Sequence, residues 1–293
     1  MEGFAKKADG SVRVVKKFRS RAHANPLSDD HIKNPSSPDD FDYAAFYPGF
    51  SPEKRIAYFD IGSGYGGLLS FMAPHLPDDL IIGMELRVQP VSYAQEQILR
   101  QRNPSRGSLL EGEKMDEESG KRRFLEKDTP AVDLSPIPVE KHHFNNVACV
   151  RCNVMKAFHR YSHKGQAKGL FILFPDPHWK KANIRRRIVS QTLLDVYAYS
   201  LKIGGHLFIA TDVEDLFHWM CDHVDTHPLF ERMSEADQEK ELTSAEQFVF
   251  KNITEVTADA TRAQRKKPTE KRHKIVYRRI IAKKETEFSR FFE

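Results

Sequence analysis

The chain has 293 residues, 40% of them hydrophobic, and a formal net charge of +5 at pH 7. That length and apolar content can fill one substantial core, which excludes a fibrous or low-complexity chain and favours one domain with decorations over two. The opening MEGFAKKADG has no apolar signal region and no apolar run approaches the roughly 20 residues that cross a bilayer, so an intracellular protein is expected. The net charge is modest, but the basic residues are clustered, and clusters are what a polyanionic partner meets.

In chain order, residues 1–50 read as a polar, basic N-terminal arm in which VRVVKKFRSRAHANP carries Arg13, Lys16, Lys17, Arg19 and Arg21. From Ile56 onward, apolar runs of strand length alternate with helical ones. IAYFDIG precedes GGLLSFMAPHL, LIIGMELR precedes VSYAQEQILRQR, and VACVRCNV precedes MKAFHRY. GLFILFPD then precedes RRRIVSQTLLDVYAYSL, and GHLFIATD precedes VEDLFHWMCDHV. The alternation predicts an α/β domain over residues 51–293, built on a doubly wound, mostly parallel sheet with helices on both faces. Residues 103–142 interrupt it: charged, rich in Ser and Pro and without periodicity, they are expected to be a disordered insertion. After His227 and Pro228 the chain turns acidic, then basic from Arg262 to Arg279, and KIVYRRIIAKK supplies a last strand.

The three cysteines include a C-x-x-C at Cys149 and Cys152, without a second pair. Within a strand, residues three apart point to opposite faces, so these read as small apolar core residues instead of a zinc or redox pair.

YFDIGSGYGG puts Gly62, Gly64, Gly66 and Gly67 between a strand and a helix. The spacing fits both the G-x-G-x-x-G of dinucleotide-binding folds and the G-x-G-x-G of class I methyltransferases. Charge separates them. Asp60, two residues before Gly62, would repel a pyrophosphate and attract the ammonium and sulfonium of S-adenosylmethionine. Glu85 ends the second strand, where an acid accepts hydrogen bonds from both ribose hydroxyls; the competing reading is an ion pair with Arg87. Asn153 ends the third strand, and its amide either holds an adenine edge or caps a turn.

In GLFILFPDPHWKKANIRRR, Asp176 closes the fourth strand beside the crevice at the strands' carboxyl ends. Pro175 and Pro177 fix φ and remove two backbone donors, so the carboxylate is displayed in a restricted conformation. Five Lys or Arg residues follow within the eight positions from Lys180 to Arg187. Lys180, Arg185, Arg186 and Arg187, with Arg19 and Arg21, are expected along a nucleic-acid backbone, and Trp179 or His178 offers a surface on which a base stacks.

FDIGSGYGG, GMELR, RCNVMK, FPDPHWKK and ATDVED, in this order, resemble the tRNA (guanine-N7)-methyltransferases, and RAHANP at residues 21 to 26 resembles the arm of their eukaryotic branch. FPDPHWKK is the most specific element. The resemblance covers roughly residues 19–102 and 143–282. It implies a Rossmann-like class I methyltransferase fold, S-adenosylmethionine as cofactor, N7-methylguanosine in the tRNA variable loop as product, and a non-catalytic WD-repeat partner. It also implies a nuclear site of action, with the cytoplasm as a second compartment. Carried over by position, Gly62, Gly64, Glu85, Arg87, Asn153, Val154 and Leu173 line the cofactor pocket. Asp176 is the catalytic acid, with Lys180 and Asp212 beside the substrate. Val154 departs from the alanine more usual there, at a position that contributes backbone. The family's C-terminal Thr and acid fall by spacing on Thr257 and Asp259, with Thr243 and Glu246 as the competing pair.

Two other enzyme classes and one non-enzymatic class share parts of this pattern. DPHW is similar to the (D/N)PP(Y/F/W) tetrapeptide of exocyclic-amine methyltransferases, with His178 in place of the second proline. A cofactor-independent RNA-binding subunit would use the basic runs but has no need of Asp60, Gly62, Gly64 and Glu85 together. An NAD-dependent dehydrogenase shares the glycine spacing and would bind NAD in place of the methyl donor.

Overall fold

The computed structural model describes the backbone of residues 3–6 and 12–15, and residues 24–28, 32–49, 51–103, 144–256 and 272–281. Near the N-terminus, β1 (Gly3–Lys6) and β2 (Val12–Val15) pair as an antiparallel hairpin, separate from the main sheet. The main sheet has seven strands: β3 (Ile56–Ile61), β4 (Leu80–Glu85), β5 (Val147–Arg151), β6 (Ala167–Leu173), β7 (Leu201–Thr211), β8 (Phe230–Arg232) and β9 (His273–Arg279). Their order is β5-β4-β3-β6-β7-β9-β8. The first five in that order are parallel, while β9 runs antiparallel to both β7 and β8. The chain winds outward from β3 to β5, then returns to the other side of β3 as β6. This reversal opens a crevice at the carboxyl ends of β3 and β6, where ligands bind in such sheets.

Every residue of β3 and of β4 is buried, as expected of parallel strands covered on both faces. Helices flank the sheet: α1 (Tyr43–Phe46), α2 (Gly67–His75), α3 (Val88–Arg102), α4 (Val154–Ala157), α5 (Gln191–Ser200), α6 (Glu214–Asp225), α7 (Glu235–Glu241) and α8 (Ser244–Val256). Strand alternation sorts the core into two layers. Phe59, Met84, Val150, Ile172 and Ile209 pack under α1, α4, α5 and α6. Tyr58, Ile81, Cys149, Phe171, Leu173 and Phe208 pack under α2, α3 and α8. The sheet is therefore doubly wound, as the alternating runs predict. Among the described residues, no helix is long and apolar enough to cross a membrane.

The two cysteines of the C-x-x-C fall in opposite layers, Cys149 in the second and Cys152 in the first. Burial pushes both thiols up to about 12, so they are protonated, inert core residues.

The arm of residues 1–50 joins the core at its C-terminal end, where Phe41 and Tyr47 are buried in the first layer and the Tyr47 hydroxyl donates to the Ile81 carbonyl at 3.1 Å. The acidic stretch after Pro228 forms β8, α7 and α8. No α7 residue is buried, so it shows no apolar stripe, and it depends on a capping box between Ser234 and Asp237. Beyond Asn103, the 103–142 insertion lies outside the described residues.

Candidate active site at the carboxyl ends of the strands

The turn after β3 is built from left-handed glycines: Gly62, Gly64 and Gly66 have φ of 80°, 53° and 76°, a region that side chains disfavour. The turn lies over β4, because the Gly62 and Ser63 N–H groups both donate to the Met84 carbonyl, at 2.8 and 3.1 Å. Gly83 makes this approach possible. A Cβ there would sit 2.6 Å from Leu69 Cδ1 and 2.8 Å from Ser63 Cβ. Sequence reasoning missed Gly83, although a glycine inside the strand run LIIGMEL signals a close backbone approach.

Asp60 and Glu85 project from the same sheet face, since Asp60 pairs in register with Gly83, two residues before Glu85. Both are buried. The Glu85 carboxylate accepts from the Gly64 N–H at 3.1 Å and the Arg87 N–H at 2.9 Å. It also accepts from Arg87 Nε at 3.1 Å and Nη2 at 2.9 Å. The ion pair with Arg87 is therefore present, and it fixes a carboxylate at the rim of the glycine turn.

Asn153 neither caps α4 through its side chain nor leaves its amide unused: Nδ2 donates to the Pro26 carbonyl at 2.7 Å. Lys156 Nζ adds a bond to the Ser28 carbonyl at 2.7 Å. Arm residues 24–28 are thus tied across the end of β5. The Val154 side chain is buried in the first layer, whereas Leu173 belongs to the layer that Asp60 and Glu85 share.

The loop carrying Asp176 is pinned at both ends. Phe174 donates its N–H to the Ala210 carbonyl at 2.7 Å, and the Pro177 carbonyl accepts from Arg187 Nε at 2.9 Å. Phe174 and His178 hold left-handed φ values of 50° and 46°, conformations that non-glycine residues keep only where the surroundings enforce them. Asp176 is half-buried, and Asp212 lies next to this loop, two residues beyond Ala210 at the end of β7. Lys180, Lys181, Arg185 and Trp179 face solvent, Trp179 with 65% exposure. Arg187 departs from the expected row of phosphate contacts. Its guanidinium lies over the Trp219 ring, 4.6 Å from the centroid, because a delocalised, weakly hydrated cation packs well on an indole face.

Thr257 and Asp259 lie outside the described residues, as do Arg19 and Arg21. The competing pair has a structural role. The Glu246 carboxylate accepts from the Thr243 N–H and hydroxyl, both at 2.9 Å, and from the Tyr58 hydroxyl at 3.1 Å, with His206 Nδ1 at 3.4 Å. Burial pushes this carboxyl up, but hydrogen bonds from His206 and Thr243 outweigh it and hold the group below its ordinary value. Tyr58, Gly169 and His206 are aligned in register at the amino-terminal half of β3 and β6. The pair thus locks α8 to the sheet away from the glycine turn.

A family model described as "Putative methyltransferase" matches residues 54–116 and 123–272. A tRNA (guanine-N(7)-)-methyltransferase of Scheffersomyces stipitis is 37% identical over 251 residues, 84% of this chain and 71% of that protein. Its Caenorhabditis elegans counterpart is 39% identical over 228 residues, 77% of this chain and 75% of that protein. The enzyme of Debaryomyces hansenii is 39% identical over 233 residues, covering 77% of this chain and 69% of its own.

Proposed function

The chain belongs to the tRNA (guanine-N(7)-)-methyltransferase family, and from that membership we propose that it moves a methyl group from S-adenosylmethionine to N7 of a guanine in the tRNA variable loop. One arrangement carries this reading: Asp60, Glu85 and the left-handed glycine turn share a sheet face, beside the pinned loop that holds Asp176.

The residues fit the donor. Open space lies where a Gly62 side chain would stand, Glu85 offers an acceptor-only carboxylate to a ribose once the Arg87 side chain gives way, and the Asp60 carboxylate suits a cation and repels a pyrophosphate. When bound, the donor supplies a methyl group carried on a positively charged sulfur. In this assignment Glu85 accepts the ribose hydroxyls, while Gly62, Gly64, Arg87, Val154 and Leu173 line the pocket. Asn153 keeps its amide oxygen for the amino group of adenine, its Nδ2 being engaged by Pro26. Thr257 and Asp259 are assigned to the same pocket by motif.

Guanine N7 carries a lone pair and no proton, so the reaction needs no general base. Positive charge moves onto the purine as N7 is methylated. The Asp176 carboxylate accepts from guanine N1–H and the 2-amino group, which aims N7 at the methyl carbon, and its charge favours the ring becoming cationic. Lys180 and Asp212 flank the base. The exposed Trp179 ring with Lys180, Lys181 and Arg185 forms a basic rim for the tRNA backbone.

The RAHANP arm supports two further assignments, a non-catalytic WD-repeat subunit and a nuclear site of action. Copurification from the native source and cell fractionation test them. The reaction itself is tested by incubating the chain with tRNA and labelled methyl donor, then treating the product with reductant and aniline. Cleavage at the labelled guanine is expected. Label without cleavage would indicate an exocyclic amine as acceptor.

A further inference from the structure

The basic run after the Pro-Asp-Pro loop divides in two. Lys180, Lys181 and Arg185 are exposed, whereas Arg187 turns back and closes a ring with the loop from which the run emerges. Its root is rigid. The Arg187 N–H donates to the Ile184 carbonyl at 2.9 Å, ending the 3-10 turn over Lys181–Arg186. Next to it, the Ile188 carbonyl accepts from the buried Tyr197 hydroxyl at 3.0 Å, and Val189 is fully buried. The tip is held too. Trp219, under the guanidinium, packs against the first core layer, and the His223 ring lies 3.9 Å from the indole centroid. The His223 Nδ1–H donates to the Trp219 carbonyl at 2.8 Å.

This chain of contacts ends on one atom, the Pro177 carbonyl oxygen. Between the two pins, Phe174 N–H on the Ala210 carbonyl and Arg187 Nε–H on the Pro177 carbonyl, lie the left-handed Phe174 and the two prolines, and the left-handed His178 follows directly after the second pin. Prolines donate no backbone hydrogen bond, so positions 175 and 177 add no N–H bond to hold the loop, and the bond to the Pro177 carbonyl is one of its outer supports. A backbone kept at left-handed φ relaxes once an outer support is removed.

We propose that Arg187, held over the Trp219 ring, is a positioning residue for methyl transfer, holding the Pro177 carbonyl so that Asp176 is presented in its working orientation. The proposal rests on the reading of this crevice as the methyl-transfer site. It assigns Arg187 a role that a phosphate contact does not have, because it acts on the rate of the bound complex and not on tRNA affinity.

The test uses the full chain with Arg187→Lys, Arg187→Ala and Trp219→Leu. It measures the single-turnover rate at saturating tRNA, the tRNA dissociation constant at several salt concentrations, and hydrogen exchange of the Phe174, Asp176 and His178 amides. Lysine keeps the charge but has neither the Nε–H of the planar fork nor a flat face for the indole, so it should not rescue. All three variants should lose tenfold or more in rate, the order expected when a catalytic group is misplaced by about 1 Å. Affinity and salt slope should stay within twofold of wild type, and exchange in the loop should quicken while the melting temperature is kept. Combining Arg187→Ala with Trp219→Leu should cost little more than either alone, because the two act as a unit. A wild-type rate in Arg187→Lys would overturn the proposal. So would a loss confined to affinity with a shallower salt slope, which would make Arg187 a phosphate contact. Should a variant fail to fold, Trp219→Phe, which keeps a ring face, must retain more rate than Trp219→Leu. If wild type forms no N7-methylguanosine, the functional reading fails, and loop exchange in Arg187→Lys still reports whether the clamp exists.

Discussion

Arg87 grips Glu85 at two points, Nε to Oε1 at 3.1 Å and Nη2 to Oε2 at 2.9 Å, while the Gly64 N–H reaches the same carboxylate at 3.1 Å. An acid at the end of β4 is thereby fixed against the turn that follows β3 before any ligand arrives. Both carboxylate oxygens already accept two hydrogen bonds each, so a ribose takes its place on Glu85 by displacing the Arg87 side chain.

Glu85→Ala removes charge-assisted hydrogen bonds to the ribose, each contributing about 1.5–3 kcal/mol. Calorimetry should show S-adenosylmethionine binding at least tenfold weaker. Unchanged affinity would contradict the pocket assignment.

Glu246 concerns stability and not the crevice. Its carboxyl lies below the ordinary value of 4.5 in the folded chain. Its contribution is therefore fully present above about that pH and is lost as pH falls through the lower folded value. Glu246→Gln should cost about 1.5–3 kcal/mol near neutrality, the scale of buried hydrogen bonds to a charge. Denaturant unfolding should show that gap narrowing toward acid pH; a gap constant down to pH ~3 would contradict the linkage.

The fold and the glycine turn of the candidate site were legible because their signals are local. Unbroken apolar runs mark β3 and β4 as buried parallel strands, and a glycine cluster after the first of them marks a turn that needs left-handed φ. What stayed hidden depends on distant partners. Nothing near Asn153 points to Pro26, 127 residues away. Arg187 looks like its neighbours in a basic run until Trp219 is folded beneath it. Thr243 and Glu246 have the spacing of a site motif, and only Tyr58 and His206 reveal them as an anchor of α8.

Arg102, the last residue of α3, donates from Nε to the Phe144 carbonyl at 3.0 Å and from Nη2 to the Val147 carbonyl at 2.7 Å. The chain therefore leaves and re-enters the domain at nearly the same point. Replacing residues 104–143 with a Gly/Ser linker of about six residues should preserve folding and leave methyl transfer nearly intact, since loop closure costs only about 0.6 kcal/mol per doubling of length. Activity lost from a folded variant would mean that the segment contacts tRNA or a partner.

Neutralising Lys180, Lys181 and Arg185 should weaken tRNA binding, and the slope of log affinity against log salt should fall by about 0.7–0.9 per phosphate contact removed. A slope equal to wild type would show that these side chains only solvate the surface.

The most direct test of the account is the single-turnover rate of N7 methylation against pH, in wild type and in Asp176→Asn. The variant keeps the shape but loses the charge and one acceptor, so it should be slower by at least about a hundredfold, the scale of one preorganised electrostatic group. Both profiles should be nearly flat through neutrality, up to the loss of guanine's own N1 proton, because N7 has no proton to surrender. A wild-type rate that climbs tenfold per pH unit, with the climb abolished in Asp176→Asn, would make Asp176 a general base. That result would contradict methylation at N7.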